Sequence, residues 1–326
     1  MPPELAREEA LAEVRTVLAP ALLAQIREVC DGPLVVFKGP EVATRYPAPD
    51  LRPFIDIDFL VADPEQAHAT LVEHGFEEAP DPPWAADRRR ERDPFEKMHH
   101  TRPLQPPKLP LKIELHRWPS WPRWLTPPPP RAVLAHAAPS ALGVDGVMTL
   151  SPASHALVLA AHSWVNDPLG RLRDLIDVTL LAAESEREEI AALAADWGIA
   201  RLWSSTIEAA DAALTRVQPP TLAQRTWARN LCAVRERTVL EAHLENWISS
   251  YWTTPPREAT RLALSNVIWD LRPAAGEPWR KKLRRAARAF GHALSPKSAH
   301  DAELGTDARR FSPVARWRRP PGPGDT

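Results

Sequence analysis

The segment Phe54-Ile55-Asp56-Ile57-Asp58-Phe59-Leu60-Val61 constrains the fold of this 326-residue chain more than any other. It alternates apolar and acidic residues, and in a strand alternate side chains share a face. Ile55, Ile57 and Phe59 then point one way, and Asp56 and Asp58 point the other, about 7 Å apart along the strand. Two carboxylates this close repel, and burial raises the pKa of one of them unless something positive lies between. For a D-x-D taken alone, a polar strand face or an Asx turn is the competing reading. The apolar flanks make a solvated acidic surface a poor explanation. A divalent cation resolves the repulsion, and carboxylates together with phosphate oxygens are the usual way Mg²⁺ is held.

A third acid stands in a matching setting. Lys112-Ile113-Glu114-Leu115-His116 alternates in the same way, so Glu114 lies opposite its two apolar neighbours in a strand able to pair beside Asp56-Ile57-Asp58. Three acids converging from two adjacent strands suit a two-metal site for phosphoryl or nucleotidyl transfer. His116 shares the face of Glu114 and is expected to line the site. Of His99 and His100 only one can face it. Lys38 and Arg52 flank the acidic strand, and either can neutralise a triphosphate, Arg with a bidentate fork and Lys as a point charge. The competing reading for both is a salt bridge to the acids themselves.

Composition removes other chemistries. With 12 Gly the chain contains neither G-x-G-x-x-G nor G-x-x-x-x-G-K-[ST], so dinucleotide and P-loop phosphate cradles lack their signature. Cys30 and Cys232 are far apart with no C-x-x-C, which supports neither a disulfide framework nor a cysteine zinc site. A net charge of −1 argues against wholesale nucleic-acid wrapping. No apolar run reaches membrane-spanning length and the first residues are not signal-like, so a cytoplasmic protein with no membrane partner is expected.

Proline marks the organisation. Fourteen of the 37 prolines crowd between Pro80 and Pro130, after which Ala/Leu/Arg-rich stretches of helical period take over. The expected layout is an N-terminal helical segment over 1–30 packed on a catalytic domain over 31–130. A linker over 131–150, a helical domain over 151–299 and a flexible tail over 300–326 follow. Expected strands cover 34–37, 55–62 and 112–116, with a weaker candidate over 99–104. Asp63-Pro64 caps a helix that Gly75 stops, and Pro20 kinks or splits the first helix. In the second half helices are expected over 151–164, 170–183, 185–197, 199–215, 221–251, 256–270 and 276–292.

Lys38-Gly39 after an apolar strand, the run from Arg52 to Val61, and Glu114-Leu115-His116-Arg117-Trp118 together resemble the uncharacterised nucleotidyltransferase family of the DNA polymerase β-like superfamily. That family's pattern reads K-G, R-x-x-x-D-I-D-L-L-V and E-L-H-W, followed by a helical half. The resemblance covers residues from about 33 to 118, and the helical half more loosely. It implies an α+β fold, in which a small mixed sheet with flanking helices precedes an all-helical C-terminal domain. It also implies Mg²⁺-dependent transfer of an NMP, AMP foremost, from an NTP to a hydroxyl of a small molecule, RNA or protein. Two Mg²⁺ ions, or Mn²⁺, would be held by Asp56, Asp58 and Glu114, and Glu114 would activate the acceptor. Lys38, Gly39, Arg52 and His116 would bind the nucleotide. The chain departs from the superfamily at Gly39-Pro40, where proline removes a backbone donor. That departure is what a silent nucleotide-binding protein would show.

Three features stand outside this core. Arg171, Asp174 and Asp177 resemble an R-x-x-D-x-x-D helix of related nucleotidyltransferase toxins, while Arg173 and Asp177 form an i, i+4 pair that could be surface support. His155 and His162, on one apolar helix face, read as packed or hydrogen-bonded. The run from Arg280 to Arg288 carries six cations and no acid, which reads as a solvated helix face with RNA contact as the rival, the feature that a toxin acting on tRNA would use. Trp118, Trp121 and Trp124 cluster beside the expected site strand, where one could stack on adenine.

Overall fold

Leu34, Val35 and Val36 are apolar at three successive positions, the pattern of a strand covered on both faces. They form β1 (Leu34–Val36), wholly buried near the centre of a mixed seven-stranded sheet. A computed structural model describes residues 3–79, 102–107, 109–122, 124–165, 168–215, 222, 225, 238–273 and 277–296. His99, His100, Cys232 and the tail over 300–326 lie outside them. The chain divides into two compact units. The first comprises residues 1–121, 127–159 and 177–193, and the second comprises 122–126, 160–176 and 194–326.

The first unit holds the sheet. In β2 (Asp56–Leu60), alternation puts Ile57 and Phe59 into the core and the two aspartates on the opposite face. β2 runs antiparallel to β1 and parallel to β5 (Lys112–His116), which has the bounds expected of it. The strand order is β3-β4-β5-β2-β1-β7-β6, with β3 over Glu77–Glu78, β4 over Leu104–Gln105, β6 over Ala137–Pro139 and β7 over Val147–Leu150. One face packs on α1 (Pro3–Val29) through Ala19, Leu22, Leu23 and Ile26, and on α3 (Pro64–Glu73) through Leu71. α1 continues through Pro20 as one helix. Asp63 caps α3 by accepting from the Gln66 N–H, and Gly75 ends it at φ +88°, a conformation that glycine adopts without penalty.

The stretch over 131–150, expected as a linker, is part of this unit and of its sheet. After α4 (Pro130–Leu134) come β6 (Ala137–Pro139) and β7 (Val147–Leu150), and β7 lies parallel to β1. Ala-Ala-Pro has no β-forming side chain. It serves because β6 is the sheet's edge, where a missing N–H leaves no ladder partner wanting.

Helices follow as the periodicity indicates. They are α5 (Pro152–His162), α6 (Leu172–Ala182), α7 (Arg187–Asp196) and α8 (Ala200–Leu214). Of the helix expected over 221–251, Leu222 and Arg225 are helical and continuous description resumes at Thr238. A capping box between Thr238 and Glu241 opens α9 (Val239–Ile248), which a 3₁₀ turn, Ser249–Trp252, closes. α10 (Pro256–Leu271) and α11 (Trp279–Gly291) complete the described chain. No described helix is long and apolar enough to cross a membrane.

Candidate active site

The β2–β5 register brings the acids together. Asp58 stands opposite Glu114, and Asp56 opposite Lys112. Asp56, Asp58, Glu114 and His116 therefore share the sheet face away from the α1 core. Ligand atoms of Asp58, Glu114 and His116 all lie within 4.8 Å of one another. Asp56 sits two residues earlier on the same face and is half-buried, outside that group.

Asp58 is buried at 3% exposure, so its charge needs compensation. The His116 Nε2–H donates to Asp58 Oδ1 at 3.0 Å and lies 3.5 Å from Glu114 Oε2, while Lys38 Nζ is 3.8 Å from Asp58 Oδ1. Burial disfavours a charged imidazole. Hydrogen bonds to Asp58 and Glu114, and their negative charges, outweigh it and raise the His116 pKa from 6.5 to about 9. Phe37 packs edge-on against the His116 ring at 5.4 Å, and Lys38 lies 5.6 Å from the Phe37 ring centre. The site thus sets two cations against closely placed carboxylates. Its carboxylate oxygens suit Mg²⁺ or Mn²⁺, and the imidazole could join them as a ligand only on giving up its proton, so the residues fit a divalent cation.

The turn after β1 approaches β2 closely. Gly39 adopts φ +62°, and a Cβ there would lie 2.5 Å from the Asp56 carbonyl oxygen, so only glycine fits. Pro40 opens the short α2 (Pro40–Ala43) at a first-turn position, where its missing N–H breaks no helical bond.

Three side chains from distant parts of the chain hold this turn by its carbonyls. Thr149 Oγ1 donates to Val36 at 3.0 Å, His155 Nε2–H to Phe37 at 2.6 Å, and Arg52 Nη1 to Gly39 at 3.2 Å. His155 is buried as well as bonded, in keeping with its reading as a structural histidine. Burial, reinforced by the charges of Arg45 and Arg52, lowers its pKa to about 4 against the opposing pull of the Phe37 bond and Asp177. A carbonyl only accepts, so the neutral ring carries its proton on Nε2.

Arg52, expected to meet phosphate, is buried at 6% exposure and grips Asp177 instead. Its Nε and Nη2 donate to Asp177 Oδ1 and Oδ2 at 2.9 and 2.7 Å, and Tyr46 donates its hydroxyl to the same carboxylate at 2.7 Å. Asp177 is accordingly paired with Arg52, whereas Arg173 lies 4.0 Å from Asp174. A second buried acid, Glu41, takes Arg45 at 2.7 Å, and Arg45 also reaches Glu184 at 3.1 Å. Glu41–Arg45 has i, i+4 spacing and could have been read locally; the Arg52–Asp177 pair, 125 residues apart, could not. Trp121 is buried at 2% exposure, leaving no face for a base, and Trp124 donates its Nε1–H to Thr253.

No curated protein and no solved structure matches the chain. A family model described as uncharacterised nucleotidyltransferase matches residues 2–215, from α1 to just past the end of α8, and takes in every described strand together with Asp58, Glu114 and His116. The match spans well over half of the sequence and coincides with the acid-bearing sheet, and the chain therefore belongs to the uncharacterised nucleotidyltransferase family.

Proposed function

We propose that the chain moves AMP from ATP onto an acceptor hydroxyl with the help of Mg²⁺, Mn²⁺ being the alternative ion. One observation carries this reading above the others: two carboxylates, Asp58 and Glu114, stand opposite each other in register with His116 and Lys38 as their cations. Asp56, Asp58 and Glu114 would hold the metal, two ions as the family resemblance implies. When bound, the metal supplies charge neutralisation at the transferring phosphate.

The chain's own groups do the rest. Glu114, half-buried and less enclosed than Asp58, accepts the proton of the acceptor hydroxyl. The acceptor oxygen then forms a bond to the α-phosphorus, the bond from that phosphorus to the bridging oxygen breaks, and pyrophosphate leaves with the electron pair. Lys38 is the cation placed to meet the triphosphate. Arg52 acts on the turn, holding the Gly39 carbonyl while Asp177 holds its guanidinium. Catalysis on this reading is positional and electrostatic.

Incubation with α-labelled ATP, Mg²⁺ and a cell extract tests it. The wild type should transfer label, and Asp58→Asn should transfer about a hundredfold less or below. Fractionating the products into small molecules, RNA and protein identifies the acceptor class. Equal labelling by both proteins, or none by either with Mg²⁺ or Mn²⁺, would sink the proposal.

A further inference from the structure

We infer that α11 is a docking element for an anionic phospholipid surface. Trp279, Leu283 and Phe290 are 60%, 62% and 85% exposed, and Leu294, in the turn that follows, is 81% exposed. At 100° per residue the three helical positions fall within an arc of about 40°. Arg280, Arg284, Arg288 and Lys281, all exposed, occupy the adjoining arc. The opposite flank packs: Lys282 is buried and Arg285 is half-buried in a fork with Glu277, at 2.7 and 3.1 Å. Backbone bonds from Val239 to Ser295 and from Leu240 to Ala293 tie the segment after the helix to the start of α9. The apolar stripe is therefore presented by an anchored helix, and α11 lies beyond residue 215, where the family match ends.

A solvated helix face, the simplest reading of the charges alone, leaves three large apolar side chains aligned in water, and a fourth exposed just after the helix, without cause. RNA would use the cations and leave the stripe exposed. A second copy paired symmetrically along the stripe would bring two basic flanks together. The segment over 297–326 carries six cations, five of them arginines over 309–319, against four acids, and its net charge has the same sign as the flank. A bilayer rich in phosphatidylglycerol satisfies both halves at once: the stripe enters the acyl boundary and the arginines meet phosphates. Thirteen helical residues span about 20 Å, short of a hydrocarbon core, so the helix would lie in the surface. This departs from the expectation, drawn from composition, of no membrane partner.

The test is flotation of the full chain with phosphatidylcholine vesicles, with and without phosphatidylglycerol. Flotation should require phosphatidylglycerol. It should fall about tenfold or more in Phe290→Ser/Leu294→Ser and in Arg284→Glu/Arg288→Glu, with circular dichroism and thermal midpoint unchanged. Three results overturn the inference: no flotation, equal flotation without phosphatidylglycerol, or full flotation by Phe290→Ser/Leu294→Ser. A tRNA mobility shift lost only in the arginine variant, with no flotation, assigns the face to RNA and also overturns it. So does a dimer that Phe290→Ser/Leu294→Ser converts to monomer in the absence of lipid binding.

Discussion

Around β2 and β5, buried charges meet counter-charges: Asp58 with His116 and Lys38, Arg52 with Asp177, Glu41 with Arg45. Along the outer face of α11 the arrangement is inverted, with arginines turned outward beside apolar side chains that are at least 60% exposed. The first region holds a geometry, and deleting one member strands its partner in a low-dielectric interior. The exposed stripe and the arginines beside it contribute little to folding and can be changed almost freely, whereas Lys282 and the Arg285–Glu277 fork on the packed flank cannot. The comparison separates residues kept for shape from residues kept for contact.

The sharpest way to break this contrast is to strand a charge. Asp177→Ala leaves the Arg52 guanidinium buried without its carboxylate and should destabilise the fold by about 3–5 kcal/mol, lowering the thermal midpoint by roughly 10 °C. The double variant Arg52→Met/Asp177→Leu should lose less than the single variants Arg52→Met and Asp177→Leu added together. Additive losses would mean the pair does not act as a unit. Calorimetry on the three variants decides it.

A smaller effect comes from His116. Its folded pKa, about 9, lies above the unfolded value near 6.5, so the protonated ring stabilises the fold. In chelator that contribution is fully present below about pH 6.5 and is lost as pH rises through about 9, a decline of a few kcal/mol at most. Denaturant midpoints taken across this window should fall for the wild type and stay level for His116→Gln. A level wild-type profile would mean that His116 is not the imidazolium partner of Asp58.

The smallest effect belongs to α11. Phe290→Ser/Leu294→Ser should change unfolding free energy by no more than about 0.5 kcal/mol, as expected for exposed positions. A loss of several times that size would place those side chains in a packed interface and erase the contrast.

What could be read in advance follows the range of the physics. Period-two alternation is local, so β2, β5 and the face that each acid takes within its own strand were legible from residues a few positions apart, and the matching patterns suggested that the two strands pair, as they do. The cap at Asp63 and the stop at Gly75 are local as well. Pairing across 125 residues is not, and Arg52 therefore looked like a phosphate ligand when its fork is filled by Asp177. β6 was hidden because alanine and proline carry no strand signal and only its place at the sheet edge makes it a strand. The α11 cations were visible in sequence, but how much of the apolar stripe stays exposed depends on which flank of the helix packs.

The interleaving of the two units has a practical consequence. Residues 177–193 return to the sheet-bearing unit after the chain has left it, and they bring Asp177 and Glu184. Cutting at the proline-rich junction or just after β7 would therefore not release a self-sufficient piece. It would leave Arg52 and Arg45 without acids that arrive only from later in the chain. During synthesis the Gly39 turn has its glycine, its proline and the β2 strand it approaches long before Asp177 emerges, so the carboxylate that holds Arg52 arrives only once α5 and the first half of α6 have been made.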